Sequence, residues 1–341
     1  MQTTLPHSSP RDPGEDDVRH LAHAVLLPAI ADLDLNPVRR LFERGCRSLL
    51  LGETREEYLA RSMSDDRRTG ETADAVRAMV ESLQAYGHGA VVVAADHELP
   101  GICRFEHLVP AAPSSTNADE VRAYAAAVGQ ALARMGVNVT LGPIVDVVRG
   151  ANPWLRGRNA GRDPAIVAAV GRAMVAGLQS AGVSAVAKHF PGHAAVAADP
   201  AVSPAKVRTP LAELDLVDAV PFSAVIEAGV RGIMLGPAVI ESLDPDRAAS
   251  LSPIVARRAR EALGSDGILV TDDLDAVSIL GSRPVGAVAV EAIAAGADLL
   301  LVGAHAAGEC ADALAHAVRT GGLAFESLAE AAARVHRLAS R

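Results

Sequence analysis

Short runs of apolar residues alternate with longer amphipathic segments along most of the chain. The short runs are typical of buried strands, and the longer segments carry apolar residues at helical spacing. Strands are predicted at 24–27, 48–51, 90–95, 137–141, 185–187, 232–235, 267–271 and 298–302. Helices are predicted at 37–44, 71–86, 117–135, 164–181, 211–228, 253–263, 285–295, 305–320 and 325–339.

Strands that alternate with helices indicate a parallel sheet, and eight such units predict an α/β fold of the (βα)8 TIM-barrel type. A doubly wound open sheet is the alternative, but it usually carries a glycine-rich first turn that this sequence lacks. Residues 1–17 are polar and rich in proline, so we predict a flexible N-terminal tail. The barrel would then be a single domain over residues 18–341.

Composition narrows the classes of partner. The chain has 341 residues, with 32 basic and 41 acidic side chains and a net charge of −9. This excess of acid argues against a nucleic-acid partner, and charges that interrupt every long apolar stretch argue against a membrane span. Cys46, Cys103 and Cys310 are far apart, which indicates a reducing compartment. We therefore predict a cytoplasmic protein with no metal site and no cofactor.

Polar side chains follow several of the predicted strands, at the point where each strand ends. They are Asp96, Asp146, Lys188, His189 and Asp272. In a TIM barrel the carboxyl ends of the strands meet at one face, where active sites are built. Each aspartate could instead cap the helix that follows, but lysine and histidine are poor caps. The pattern predicts one cavity that these side chains share.

Four segments carry a resemblance to a known family. Their order and spacing resemble glycoside hydrolase family 3, in particular its single-domain branch of β-N-acetylhexosaminidases, over roughly residues 20 to 340. The segments are Gly142–Val147, Arg158–Pro164, Lys188–Val207 and Val270–Leu274.

The resemblance implies hydrolysis of β-linked N-acetylhexosamines through a covalent glycosyl-enzyme, and hence a small-molecule carbohydrate partner. Asp272 matches the catalytic nucleophile. Lys188 is expected near Asp272, where its charge would keep the carboxylate ionised. The residues that match sugar-binding positions, or belong to the same motif, are Asp96, Arg104, Arg158, Lys188, His189 and His193.

One position departs from the family pattern. Members of this branch carry their acid/base histidine in an Asp-Ser-His run after the fifth strand, whereas this chain has Asp199, Pro200 and Ala201. Alanine transfers no proton, so Asp199, His193 or Asp275 would have to replace the histidine, with Asp199 favoured. Alternatively, the chain is a catalytically impaired or repurposed aminosugar-binding protein or biosynthetic enzyme.

The single tryptophan, Trp154, lies in the loop before Arg158. Glycosidases often stack sugars on aromatic rings, so Trp154 could flank the pocket. We favour the simpler prediction that it packs on the rim of the barrel.

Overall fold

The computed structural model describes residues 14–87 and 89–340. Eight parallel strands form a closed barrel, and the predicted fold is confirmed. Neighbouring strands pair in chain order, the last strand pairs with the first, and a bridge from Val270 to Leu299 closes the ring between the seventh and the eighth strand. The strands are β1 (Leu26–Ile30), β2 (Ser48–Leu51), β3 (Val92–Asp96), β4 (Val139–Ile144), β5 (Ser184–Phe190), β6 (Gly232–Leu235), β7 (Ile268–Thr271) and β8 (Leu300–Gly303).

Helices surround the barrel at each predicted place, with bounds that differ by a few residues. The predicted helix 211–228 is divided by a π-helical turn, Leu214–Asp218. The helices are Glu15–Ala24, Arg39–Glu43, Arg55–Ala60, Asp65–Gly70, Ala73–Gly87, Ala118–Arg134, Pro164–Ser180, Leu211–Glu213, Ala219–Glu227, Pro253–Leu263, Val277–Leu280, Val285–Ala295, Ala307–Arg319 and Phe325–Ala339. Among residues 14–87 and 89–340, none of the helices has the length and apolar character that a membrane span requires.

The first helix, Glu15–Ala24, begins inside the segment that the sequence assigns to a tail. Three acidic residues in its first turn interact favourably with the helix dipole, and Val18 and Ala22 on its inner face are buried. The ordered domain therefore begins before residue 18. Residues 1–13 lie outside the described residues.

Two apolar layers separate along every strand, because successive side chains point to opposite faces. One layer packs between strands and helices, and the other fills the barrel. Val335 and Leu338 of the C-terminal helix pack into the inner layer, so they close the amino end of the barrel. At the other end, Leu141 and Met234 form part of the floor of an open cavity.

Gly142 of β4 lies against the backbone that follows β3, and the register between β4 and β5 shifts at the same residue. A Cβ atom at this position would overlap the carbonyl oxygen of His97. We expect Gly142→Ala to lower the free energy of unfolding by roughly 1–3 kcal/mol through overpacking. Urea denaturation measures the change. Gly70→Ala is the matched control, since a Cβ there meets nothing within 4 Å, and equal midpoints for the two variants would contradict the expectation.

Candidate active site

A cavity of about 290 Å³ opens at the carboxyl end of the barrel. All eight strands, or the loops that follow them, contribute residues to its lining. Six of the predicted site residues lie together there, although they are far apart in sequence: Asp96, Arg158, Lys188, His189, Asp199 and Asp272.

Four charged side chains form an ion network on one side of the cavity, and three of them are buried while Asp96 is partly exposed. Lys188 Nζ donates to Asp96, and it lies 2.9 Å from Glu98 Oε1. Arg158 donates to both oxygens of Glu98, at 2.6 Å and 3.0 Å. Burial alone would lower the pKa of Lys188, but the Asp96 and Glu98 carboxylates raise it above its usual value. Lys188 is thus held as a cation. One of its partners, Glu98, was not predicted from the sequence, because it belongs to no recognisable motif.

His189 is oriented from behind by Asp146. The ring Nδ1 lies 2.8 Å from Asp146 Oδ2, and Asp146 also accepts the backbone N–H groups of His189 and His193. Burial lowers the pKa of His189, which favours a neutral ring. When Nδ1 carries the proton and donates it to Asp146, Nε2 is left as an acceptor. Nε2 lies 3.9 Å from Asp272 Oδ2. Asp146 does not line the cavity, so the prediction that its side chain faces the shared cavity is wrong.

Asp272 begins the loop after β7. Its backbone N–H donates to the Ser250 hydroxyl at 3.0 Å, and its Oδ1 accepts the Asp273 N–H at 2.8 Å. Oδ2 has no hydrogen-bond partner among the described residues. This oxygen is buried, and no donor in the described part of the chain engages its lone pairs. Lys188 lines the same cavity as Asp272, and its ion pairs are with Asp96 and Glu98.

Two aromatic side chains form a wall of the cavity. Trp154 lies 4.5 Å from His189 between ring centroids, and its Nε1 donates to the Tyr58 hydroxyl at 3.0 Å. The prediction that Trp154 packs on the rim of the barrel is therefore wrong, because the side chain lines the cavity. Sequence analysis missed Tyr58 because it missed the helix Arg55–Ala60. The capping box of Thr54 and Glu57, which is readable in the sequence, could have revealed that helix.

Arg104 and His193, two predicted sugar ligands, lie outside the cavity lining. Arg104 is fully buried, donates twice to Glu71 at 2.6 Å and 2.8 Å, and donates through Nε to the Gly52 carbonyl. His193 is also fully buried, with Nδ1 3.0 Å from the His189 carbonyl oxygen. Both side chains support the site from behind, so this geometry does not support a contact with sugar.

The loop after β5 corresponds to the one that carries the acid/base histidine in the family branch. In this chain it lines the cavity through Asp199, Pro200 and Ala201. Asp199 Oδ1 accepts the Ala201 N–H at 2.9 Å, and Oδ2 lies 3.6 Å from Arg55. Asp275, by contrast, accepts the Gly303 N–H at 2.8 Å and does not line the cavity. Of the three proposed substitutes, Asp199 alone faces the space where a substrate would lie.

Glu53 is a further lining residue that sequence analysis missed, because Gly52 reads as the end of a strand. Its Oε2 is buried without a hydrogen-bond partner inside the described ranges. Burial, followed by the charge of Asp96, raises the pKa of Glu53 to about 8. Among residues 14–87 and 89–340, no group of three or more His, Cys, Asp or Glu side chains could hold a metal ion.

Removal of Arg104 tests its structural role. We expect Arg104→Met to lower the free energy of unfolding by roughly 3–5 kcal/mol, because Glu71 would lose both hydrogen bonds from Arg104 and keep only the longer 3.3 Å contact with Arg67. Urea denaturation gives the loss. Arg68→Met, at an exposed ion pair, should change stability little. A sugar ligand would behave differently: KM would rise while stability stayed intact.

Comparisons with known proteins bear on this site. The family model described as "Glycosyl hydrolase family 3 N terminal domain" matches residues 57–338. A β-hexosaminidase from Thioalkalivibrio sulfidiphilus is 31% identical over 253 residues, which are 70% of this chain and 72% of that protein.

Solved structures agree with this match. A glycoside hydrolase family 3 β-N-acetylglucosaminidase from Paenibacillus sp. has a TM-score of 0.85 at 26% identity, and the match covers 94% of this chain. That match covers 62% of the Paenibacillus protein, so the chain spans less than two thirds of it. A β-N-acetylhexosaminidase from Beutenbergia cavernae has a TM-score of 0.79 at 25% identity, with 97% of this chain and 99% of that protein covered. The resemblance found in the sequence is confirmed, and the chain belongs to glycosyl hydrolase family 3.

Proposed function

We propose that this chain hydrolyses the O-glycosidic bond of β-linked N-acetylhexosamines with retention of configuration. The observation that carries the proposal is the surroundings of Asp272: an oxygen without a donor, beside an oriented imidazole, in a cavity with a preformed ion network. The relatives named as β-hexosaminidase and β-N-acetylglucosaminidase support the same reaction class.

The ion network supports sugar binding because it leaves hydrogen-bonding capacity unused. Lys188 has three N–H donors, and Asp96 and Glu98 take two of them. The third donor and the free lone pairs of Asp96 can bind sugar hydroxyls. These charges are held in place before substrate arrives, so binding need not order them.

The chemistry follows the two-step retaining scheme. Asp272 Oδ2 attacks the anomeric carbon, and Asp199 as an acid gives its proton to the departing oxygen. This forms an ester between the sugar and Asp272. Asp199, now a carboxylate, takes a proton from water as that water attacks the same carbon and releases Asp272.

Replacement of the nucleophile tests the assignment. With 4-nitrophenyl N-acetyl-β-D-glucosaminide, we expect Asp272→Asn to lower kcat by roughly 10⁴-fold or more, since an amide forms no glycosyl ester. Calorimetry with N-acetylglucosamine should show that the variant still binds sugar. Equal rates for variant and wild type would remove Asp272 from the mechanism.

The role of Asp199 depends on the leaving group. For Asp199→Asn we expect kcat/KM to fall by about 10² to 10⁴-fold on an N-acetylglucosamine disaccharide. The loss should be much smaller on the 4-nitrophenyl glycoside, whose leaving group departs without a proton. Asp275→Asn serves as the control, and any loss of kcat/KM that it causes should be the same on both substrates. If Asp199→Asn also lowers kcat/KM equally on both substrates, another group transfers the proton.

Ala201 favours a second candidate function. A methyl group lines the cavity where the family branch has an imidazole, which suits a sugar-binding protein without turnover. If wild-type protein binds N-acetylglucosamine and hydrolyses neither substrate, this second function replaces the first.

The proposal includes a cytoplasmic location. Its support is the state of the cysteines: Cys46, Cys103 and Cys310 are free thiols, and Cys46 and Cys310 are buried. Burial raises the pKa of each thiol to about 12, which suits inert structural cysteines.

A further inference from the structure

Glu53 lies at the end of the cavity that is remote from Asp272. It follows β2, next to Asp96 at the end of β3, and the closed ring of eight strands places β3 opposite β7, which leads to Asp272. The charged groups with the largest effect on the pKa of Glu53 are Asp96, Lys188, Glu98 and Arg158, which form the ion network on this side of the cavity. When the anomeric carbon of a pyranose faces Asp272, its C4 and C6 substituents therefore face Glu53 and Asp96.

The charges at this end of the cavity do not balance. Lys188 and Arg158 compensate Asp96 and Glu98, so Glu53 is a fifth group with no counter-ion. Arg55, at the start of the helix that follows, lies against Asp199. A buried carboxylate without a partner is costly, and the carboxyl group takes up a proton instead. With a pKa of about 8, Glu53 is neutral in the empty cavity at neutral pH.

A ligand that carries its own cation would change this state. An ammonium group donates charge-assisted hydrogen bonds to both Glu53 and Asp96 and supplies the missing positive charge. A hydroxyl group supplies no charge and leaves Glu53 protonated. With Glu53 protonated, the four charges of the ion network cancel, so an ammonium group forms a new ion pair when Glu53 gives up its proton.

We propose that Glu53 is a specificity-determining residue that selects sugars with an ammonium group at C4 or C6, the ring substituents remote from the anomeric carbon. This inference rests on the proposed function for the orientation of the sugar. It deepens that function by naming a cationic subclass of N-acetylhexosamine.

Binding of such a sugar must release a proton. The ammonium group keeps its three hydrogens, and Glu53 gives its proton to the solvent as the ion pair forms. At pH 6.5, where Glu53 is neutral and the amine is charged, we expect the release of about one proton per sugar bound. N-acetylglucosamine, which has no ammonium group, should release none through Glu53.

Isothermal titration calorimetry tests both expectations without any turnover. The probes are 2-acetamido-4-amino-2,4-dideoxy-D-glucose, its 2-acetamido-6-amino-2,6-dideoxy isomer, and N-acetylglucosamine. We expect at least one amino sugar to bind about tenfold to a hundredfold more tightly than N-acetylglucosamine. Titration in two buffers of different ionisation enthalpy measures the proton release.

Variants locate the effect. Glu53→Gln keeps the shape of the side chain, and it should abolish both the preference and the proton release. Glu56→Gln, at an exposed position one turn along the same segment, should retain both. The wild-type protein tests the proposal even without the variants, because its proton release does not depend on whether a variant folds.

The possible results separate this inference from the proposed function. If N-acetylglucosamine binds, and neither amino sugar binds more tightly or releases a proton, Glu53 is a neutral hydrogen-bond donor and the inference is overturned. Tight amino-sugar binding that persists in Glu53→Gln overturns it as well. If the aryl glycoside is not hydrolysed, the proposed function fails, while the selectivity is still measured by binding.

Discussion

The architecture of the site depends on the buried ion network of Asp96, Glu98, Arg158 and Lys188. A lysine ammonium taken out of water is stable only when its surroundings supply opposite charge. Here that charge comes from β3 and the residues just after it, while the cations come from β5 and from the loop after β4. Each ion therefore fixes the position of a different part of the chain. The cavity keeps its shape without a substrate because removal of any one charge would leave another uncompensated.

The fold was predictable because its signals are local and repeated. Apolar runs separated by helical segments recur eight times, and a parallel barrel is the arrangement that buries such strands on both faces. Short irregular elements were harder to predict. The helix Arg55–Ala60 has only 6 residues, and the first helix begins in a segment whose proline and charge resemble a tail. These two elements are helical because of their tertiary packing, and their local composition does not predict it.

The site was predictable in part. Residues at strand ends, such as Asp96 and Asp272, were found because the barrel brings strand ends together. Motif membership was less reliable, since Arg104 and His193 match the family yet support the site from behind. Sequence position does not reveal which way a side chain points after a strand has ended. Glu53 was missed because it enters the cavity from a loop with no periodic pattern to mark it. Tyr58 was missed because it enters from a short helix that the prediction did not include.

The loop that carries Asp199 is tied to the element that follows Asp272. Val277 and Ser278 donate backbone N–H groups to the carbonyl oxygens of Ala201 and Pro200, and the Ser278 hydroxyl accepts the Ala205 N–H. The segments that carry the two carboxylates are thus joined through main-chain bonds that persist whatever side chain occupies position 201. A substitution at that position changes the chemical group that the loop presents to the cavity, while this backbone link stays in place.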